Sequence, residues 1–416
     1  MRKAFKYRLY PNKETEQQLF WTLSRCRELY NAALSEWKDA YQQYQRTQLL
    51  VNAQTGQVCA AMMLASQRVK NVSYYEQKRD LVEIKQERPE YQNIHSQILQ
   101  DVLLRLKRAF DGFFRRIANG DTPGYPRFQG RNRYNSFTYP QEGYHLSEKQ
   151  LTLSKIGRIK VKLHRPLEGQ IKTCTIKYEA GQWYAVFSCE VEQPAPEPAV
   201  ESEVGIDLGV THFAALSNGT FIESPRYYRE AQRKLEQRQQ VLSRKKRGSH
   251  RREKARRRVA RWHHKIANQR RDFHHKAAHA LVKQHQTLVF EELAISNLSK
   301  RARPKQDEAT GEYLPNGATA KSGLNKSILD AGWGQFQHIV AYKAACAGRT
   351  VVFVNPRYTS QVCSSCGVVR KKPLEERWHS CECGCELDRD TNAAINILRL
   401  GRSQRGDAPC VEAPPF

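Results

Sequence analysis

The sequence predicts a multidomain α/β protein, and three observations predict it. A strand, long helices and further strands fill the first 192 residues, a Pro/Ala/Glu-rich joint covers 193–203, and strand and helix signals then restart and run into a dense cysteine cluster. The chain has 416 residues, room for about two to four domains. No internal repeat is visible.

The elements follow in order. Phe5, Tyr7 and Leu9 alternate with Lys6, Arg8 and Tyr10, the period of a strand that Pro11 stops. Leu19, Phe20, Leu23, Leu29, Tyr30 and Leu34 recur at helical spacing. From His95 to Ile117 a second helix carries an apolar stripe, Ile98, Val102, Leu106, Phe110 and Phe113/Phe114, with Arg105, Lys107, Arg108, Arg115 and Arg116 on its other face. Beyond Gly120 the segment Tyr125-Pro126-Arg127-Phe128 is extended, aromatic and basic, and Tyr125, Arg127 and Phe128 suit base stacking and phosphate contact. Ile159, Val161 and Leu163 then alternate with Lys160, Lys162 and His164, and a hairpin turns near Ala180-Gly181. These strands predict a small antiparallel sheet or barrel completed by the N-terminal strand.

After the joint, VGIDLGV, FAALSN and GTFIES read as a three-strand meander. Long helices run from Tyr228 to about Leu281. Between Arg244 and Lys276 there are fifteen Lys/Arg against two acids, Glu253 and Asp272. The stripe Trp262, Ile266, Phe273, Ala277, Leu281 predicts a docked helix with a basic outer face rather than a disordered tail. TLVFEEL (287–293) reads as a buried strand, 299–324 as a mobile loop, Ile328 to about Ala347 as one helix, Val351–Asn355 as a strand, and the tail after Gly401 as disordered.

Net charge is +27, from 69 Lys+Arg against 42 Asp+Glu. The expected partner is a polyanion bound through phosphates; a membrane surface or simple solubility is the blander explanation. No apolar run reaches the length of a membrane span, and MRKAFKYRLYP lacks the apolar stretch of a signal peptide, so the expectation is a cytoplasmic protein without a membrane partner. Eleven cysteines, an odd number, suit reduced thiols plus one metal site better than a disulfide framework.

Five of those cysteines fall between Cys363 and Cys385. Cys363-x-x-Cys366 is one metal knuckle and Cys381-x-Cys383 the other, so four thiolates can close a tetrahedral, structural Zn²⁺ site, with Cys385 and His379 as substitute ligands. The acids form a second pattern. Asp207 lies in the middle of the first strand of the meander, Glu291 and Glu292 end the buried strand, and Asp388 and Asp390 open a C-terminal helix. Singly, each reads as a turn or cap residue. Together, an acid on a first strand, one ending a later strand and one opening a last helix suit a ribonuclease H-like fold. There the carboxylates meet at one sheet edge and hold Mg²⁺, two ions for phosphodiester hydrolysis.

These residues resemble the TnpB (OrfB) proteins of bacterial insertion sequences, RNA-guided DNA endonucleases related to the type V CRISPR effectors. The matches span nearly the whole chain: Arg8-Leu9-Tyr10-Pro11, Arg27-x-x-Tyr30-Asn31, Ser96-Gln97, Tyr125-Pro126-Arg127-Phe128, Gly205-Ile206-Asp207-Leu208-Gly209, Glu291-x-Leu293, Asp330-x-x-Trp333-x-x-Phe336, Thr359-Ser360-Gln361-x-Cys363-x-x-Cys366-Gly367 and Asp388-Arg389-Asp390-x-Asn392-Ala393-Ala394-x-Asn396-Ile397. The resemblance implies a RuvC-like nuclease with the triad Asp207, Glu291 and Asp390. Glu292 stands where the family has Asp, and the second cysteine knuckle is one residue shorter than the commoner form. The implied layout is a wedge β-barrel (1–10 and 121–192) interrupted by a helical recognition lobe (11–120). A linker (193–203) leads to the RuvC-like domain (204–362 and 386–401), which carries an inserted zinc ribbon (363–385) and precedes a disordered tail (402–416). It also implies a guide RNA from the transposon end and a double-stranded DNA target beside a short protein-read motif. Arg256, Arg257, Arg261 and Lys265 would line the nucleic-acid channel. One chain per RNA is expected, associated with the nucleoid when on DNA. A catalytically silent RNA-guided regulator, a strand-transferring transposase and a non-catalytic zinc-ribbon DNA binder are the competing readings.

Overall fold

The computed structural model describes residues 1–53, 72–131, 133–192, 195–371, 373 and 376–405. Part of the expected helical lobe (54–71), the start of the expected linker and the end of the expected tail (406–416) lie outside the described residues. The chain divides into two units, Met1–Glu192 and Gln193–Phe416.

In the first unit β1 (Arg2–Tyr10) is followed by α1 (Lys13–Ala53), α2 (Tyr74–Glu87), a 3₁₀ turn (Pro89–Asn93) and α3 (Ser96–Ala118). Six strands follow: β2 (Ser136–Tyr139), β3 (Tyr144–Leu146), β4 (Gln150–Leu153), β5 (Gly157–Lys162), β6 (Gln170–Glu179) and β7 (Gln182–Glu190). All seven form one antiparallel sheet in the order β2-β6-β7-β1-β5-β4-β3. β1 is central because every second residue, Phe5, Tyr7 and Leu9, is buried and both its edges are paired. Ala180 (φ 51°) and Gly181 (φ 81°) make the left-handed two-residue turn that fits the twist of the β6–β7 hairpin. Ile98, Val102, Leu106 and Phe110 of the α3 stripe are buried, whereas Phe113 is half-buried and Phe114 exposed; Trp37 of α1 stacks on Phe110 at 4.5 Å. Arg105 does not belong to the basic outer face expected for this helix. Its guanidinium donates to Asp101 (2.8 Å), the Ser136 carbonyl (2.7 Å) and Thr138 Oγ1 (2.6 Å), pinning α3 to β2.

The second unit holds β8 (Glu203–Asp207), β9 (His212–Leu216), β10 (Phe221–Glu223), α4 (Tyr227–Ser243), α5 (His250–Gln284), β11 (Thr287–Glu291) and the single-turn α6 (Ile295–Leu298). A short hairpin, β12 (Lys305–Gln306) and β13 (Tyr313–Leu314), precedes α7 (Ala318–Ala331), α8 (Trp333–Ala347) and β14 (Thr350–Val354). β15 (Trp378–Ser380), β16 (Glu386–Asp388) and α9 (Arg389–Gln404) complete it. Five strands make a mixed sheet, β10-β9-β8-β11-β14. The first three form the antiparallel meander; β11 runs parallel to β8, and β14 parallel to β11. Leu288 and Phe290 of β11 join the core with Ala278, Leu281, Phe336 and Val340 of α5 and α8, while Val289 packs with Ile397 of α9. The sheet is thus the middle of three layers. Gly205 is what lets α9 lie so close. A Cβ there would fall 2.0 Å from the Ala394 carbonyl oxygen and 2.7 Å from the Leu398 nitrogen.

Three expectations are corrected here. The segment 299–324 is not one loop: it contains the β12–β13 hairpin and the first turns of α7, held by Lys321 Nζ on the Leu298 carbonyl (2.8 Å). The expected helix Ile328–Ala347 is two helices, because Gly332 (φ 67°) adopts the left-handed conformation that ends α7 and starts α8. α9 continues past Gly401 to Gln404, where Arg402 and Arg405 bond Glu203.

Candidate active site and metal centre

Strand β8 ends at Asp207, so this acid stands at the strand's C-terminal end and not mid-strand as expected. The β8–β11 register pairs Phe290 with Ile206, which sets Glu291, the last residue of β11, beside Asp207. Asp390 comes from the first turn of α9. A Cβ on Gly209 would lie 3.8 Å from Asp390 Oδ2, so the turn after β8 runs against that carboxylate. Three acids distant in sequence therefore meet at one edge of the sheet.

They meet at an electrostatic cost. Burial holds the Asp207 carboxyl well above the usual carboxylate range, and the nearby Glu291 and Asp390 charges add to it. Burial also pushes up Asp390, with Asp388 beside it, against the pull of Arg377, Arg389 and His212. Glu291 is raised by burial while the Thr359 hydroxyl, which donates to its Oε1, draws it down. Its backbone carbonyl accepts from Gln337 Nε2 at 3.0 Å. Glu292 is exposed. Asp388 is the N-cap of α9, and its Oδ1 accepts from the Asp390 and Thr391 N–H groups at 2.8 and 3.2 Å. Among the described residues no Lys or Arg lies within ion-pair distance of Asp207. Hard carboxylate oxygens crowded together fit divalent ions.

The cysteines are a different case. Cys363, Cys366, Cys381 and Cys383 bring their sulfurs within 4.8 Å of one another. Cys363 and Cys383 are 3.7 Å apart, and Cys366 and Cys381 3.6 Å. The two-stranded ribbon β15–β16 closes the shorter second knuckle, with the Cys381 N–H on the Cys385 carbonyl at 3.0 Å. Burial raises the Cys363 thiol, but the backbone N–H of Cys366, the His379 side chain and the Ser365 N–H outweigh it and bring it down to about 5. Four converging sulfurs, one of them already drawn towards the thiolate, fit a zinc site. Cys363, His379 and Cys385 form a second set within the same 4.8 Å limit, sharing Cys363. The three carboxylates are not such a compact set among the described residues.

The residues expected at a nucleic-acid surface divide. Tyr125 is half-buried, edge-on to Phe110 (5.5 Å) and Phe113 (5.3 Å). Phe128 is 47% exposed with Lys38 Nζ 4.2 Å from its ring centre, and Arg127 is exposed. On α5, Arg257, Arg261 and Lys265 recur every fourth residue and are exposed along one face. Arg256 and Arg257 both bond Glu253. Trp262 lies under Arg238 (5.1 Å) and Lys265 (5.3 Å). Thr359 and Arg389 stand in the motifs quoted above, but no role beside the acids is assigned to them or to His212 from the sequence.

Among the described residues no helix is long and apolar enough to cross a membrane. Residues 186–302 match a family model described as a probable transposase, OrfB of IS605. Residues 333–397 match the TNB domain of Cas12f1-like proteins. Residues 1–46 match a helix-turn-helix model, although here that span is β1 and part of the single helix α1. The chain is 34% identical over 409 residues to "Putative RNA-guided DNA endonuclease InsQ" of Escherichia coli, covering 96% of this chain and 92% of that protein. It is 33% identical to a "Putative RNA-guided DNA endonuclease" of Streptomyces pristinaespiralis, over 96% of this chain and 90% of the other. A solved mini-RNA-guided endonuclease, CRISPR-Cas phi3, aligns over 96% of this chain and 92% of its own at 11% identity and TM-score 0.44, too loose a likeness to bear on the fold. Identity of that extent to two relatives, over nearly the full length of each, makes this chain a member of the TnpB (OrfB) family.

Proposed function

We propose that this protein is an RNA-guided DNA endonuclease that hydrolyses target DNA with Asp207, Glu291 and Asp390 as its metal-holding triad. The observation that carries the reading is the convergence of three partly buried carboxylates, the charges of Glu291 and Asp390 acting on Asp207, in an otherwise strongly basic chain. Family membership supports it. The sheet order, an antiparallel meander extended by two parallel strands, supports a RuvC-like, ribonuclease H-type nuclease domain at 204–362 and 386–401, with the ribbon 363–385 inserted.

In this reading the three carboxylates hold Mg²⁺ and offer no proton relay of their own. When bound, the ions supply an activated water and charge neutralisation at the leaving oxygen. Asp388 shapes the start of α9 and leaves Asp390 free to ligate. Glu291, half-buried and oriented by Thr359, serves in preference to exposed Glu292. Cys363, Cys366, Cys381 and Cys383 hold a structural Zn²⁺. A guide RNA and double-stranded target DNA are the partners of one chain. The α5 stripe Arg257, Arg261 and Lys265 contacts their phosphates together with Arg256, and Arg127 and Phe128 add contacts in the first unit.

The test is cleavage by protein purified together with RNA from cells carrying its native flanking DNA. Matched duplex with Mg²⁺ is cut by the parent and left intact by Asp207→Ala. Equal cutting by the two sinks the triad, and the lack of any discrete co-purifying RNA sinks the guided reading. Binding without cutting by the parent points instead to a regulator.

A further inference from the structure

Thr359 is only 4% exposed. Its hydroxyl donates to Glu291 Oε1; the other acceptor within reach, the Pro356 carbonyl, is at 3.2 Å. Its backbone carbonyl accepts from Asn396 Nδ2 at 2.9 Å. The same Asn396 amide donates to the Val362 carbonyl at 2.7 Å, which also takes Asn392 Nδ2 at 2.8 Å. Asn392 Oδ1 in turn accepts from the Ser364 N–H at 2.9 Å. Asn392 and Asn396 are 0% and 2% exposed, so these bonds are shielded from water. The segment 359–364, which opens the first cysteine knuckle, is thereby clamped onto α9, the helix whose first turn carries Asp390.

We infer that Thr359 is a positioning residue for Glu291. Its hydroxyl holds one carboxylate oxygen and leaves the other for a metal ion, and Asn396 ties it to the helix that bears Asp390. Two acids from separate elements are thus held at a set separation by a hydrogen-bonded brace that neither β11 nor α9 supplies alone. The role is that of an outer-sphere partner, which orients a ligand without touching the ion. The inference rests on the triad proposed above.

The comparison that tests it is Thr359→Val, which keeps the shape and removes the donor, against Thr359→Ser, which keeps the donor. Both are made in the full chain with its RNA. Mn²⁺ binding without DNA, read by electron paramagnetic resonance, is expected to weaken about 10–100-fold in Thr359→Val and to stay near the parent in Thr359→Ser. Cleavage of matched duplex at limiting Mg²⁺ follows the same order, and zinc content and melting midpoint stay put. If Thr359→Val lowers the midpoint, Thr359→Ala carries the same comparison. Parental Mn²⁺ affinity and cleavage in Thr359→Val, or equal damage in Thr359→Ser, overturns the inference. Glu291→Gln separates the two claims. If it cuts like the parent, the triad falls and the inference with it. If it is inactive while Thr359→Val behaves as the parent, only the positioning role falls.

Discussion

The cysteine ribbon and the carboxylate edge are the two cation sites proposed for this chain, and they are assembled in opposite ways. The ribbon draws its sulfurs from one short stretch, Cys363 to Cys383, closed by a two-stranded hairpin. The carboxylates come from Asp207, Glu291 and Asp390, and need the β8–β11 register and the docking of α9 before they meet. In the first case local geometry makes the site, and a bound ion would complete the fold. In the second the fold exists first and holds repelling charges together.

Breaking the carboxylate edge has the largest effect on activity. Asp207→Asn is expected to lower cleavage by about 10³-fold or more, several kcal/mol of barrier. It also raises the melting midpoint of zinc-loaded, Mg²⁺-free protein. The fold favours a protonated Asp207, so its ionised form at neutral pH opposes folding and the neutral amide does not. Melting in buffers with and without Mg²⁺ reads both effects. Cys366→Ser should do the reverse to stability: zinc per chain falls and the melting midpoint drops.

Gly205→Ala tests whether the edge depends on the close approach of α9. The new methyl meets backbone at 2.0 Å. A loss of about 1–3 kcal/mol is expected in denaturant melts, together with reduced cleavage as Asp390 moves. Cys385→Ser sharpens the ribbon: if the four-sulfur set holds the ion, zinc content is unchanged, whereas Cys381→Ser lowers it.

The smallest effect concerns His274, which serves neither site. Burial pushes its pKa down to about 4, and its Nε2 lies 2.9 Å from the Ala331 carbonyl at the α7–α8 break. The free imidazole titrates at about 6.5, so the unfolded chain binds a proton that the fold refuses. His274 therefore contributes fully above about pH 6.5 and progressively less as pH falls towards 4. Melting midpoints from pH 7 to 4.5 should fall less steeply in His274→Phe than in the parent.

Much of this chain was legible in one dimension. Alternation marked β1, helical stripes marked α3 and α5, and cysteine spacing marked the ribbon, because each depends on neighbours within a few residues. The acids could be named as candidates for the same reason: strand ends and helix starts are local features. Only the tertiary structure decided that Asp207 stands at a strand end, that Glu291 rather than Glu292 faces inward, and that Asp388 caps a helix while Asp390 faces the other acids. It also turned Arg105 inward and joined Thr359 to Glu291. The physical reason is common to all of these. A side chain's partner, burial and charge are set by groups far away in sequence, which come into range only when the sheet register and the packing of α9 are in place.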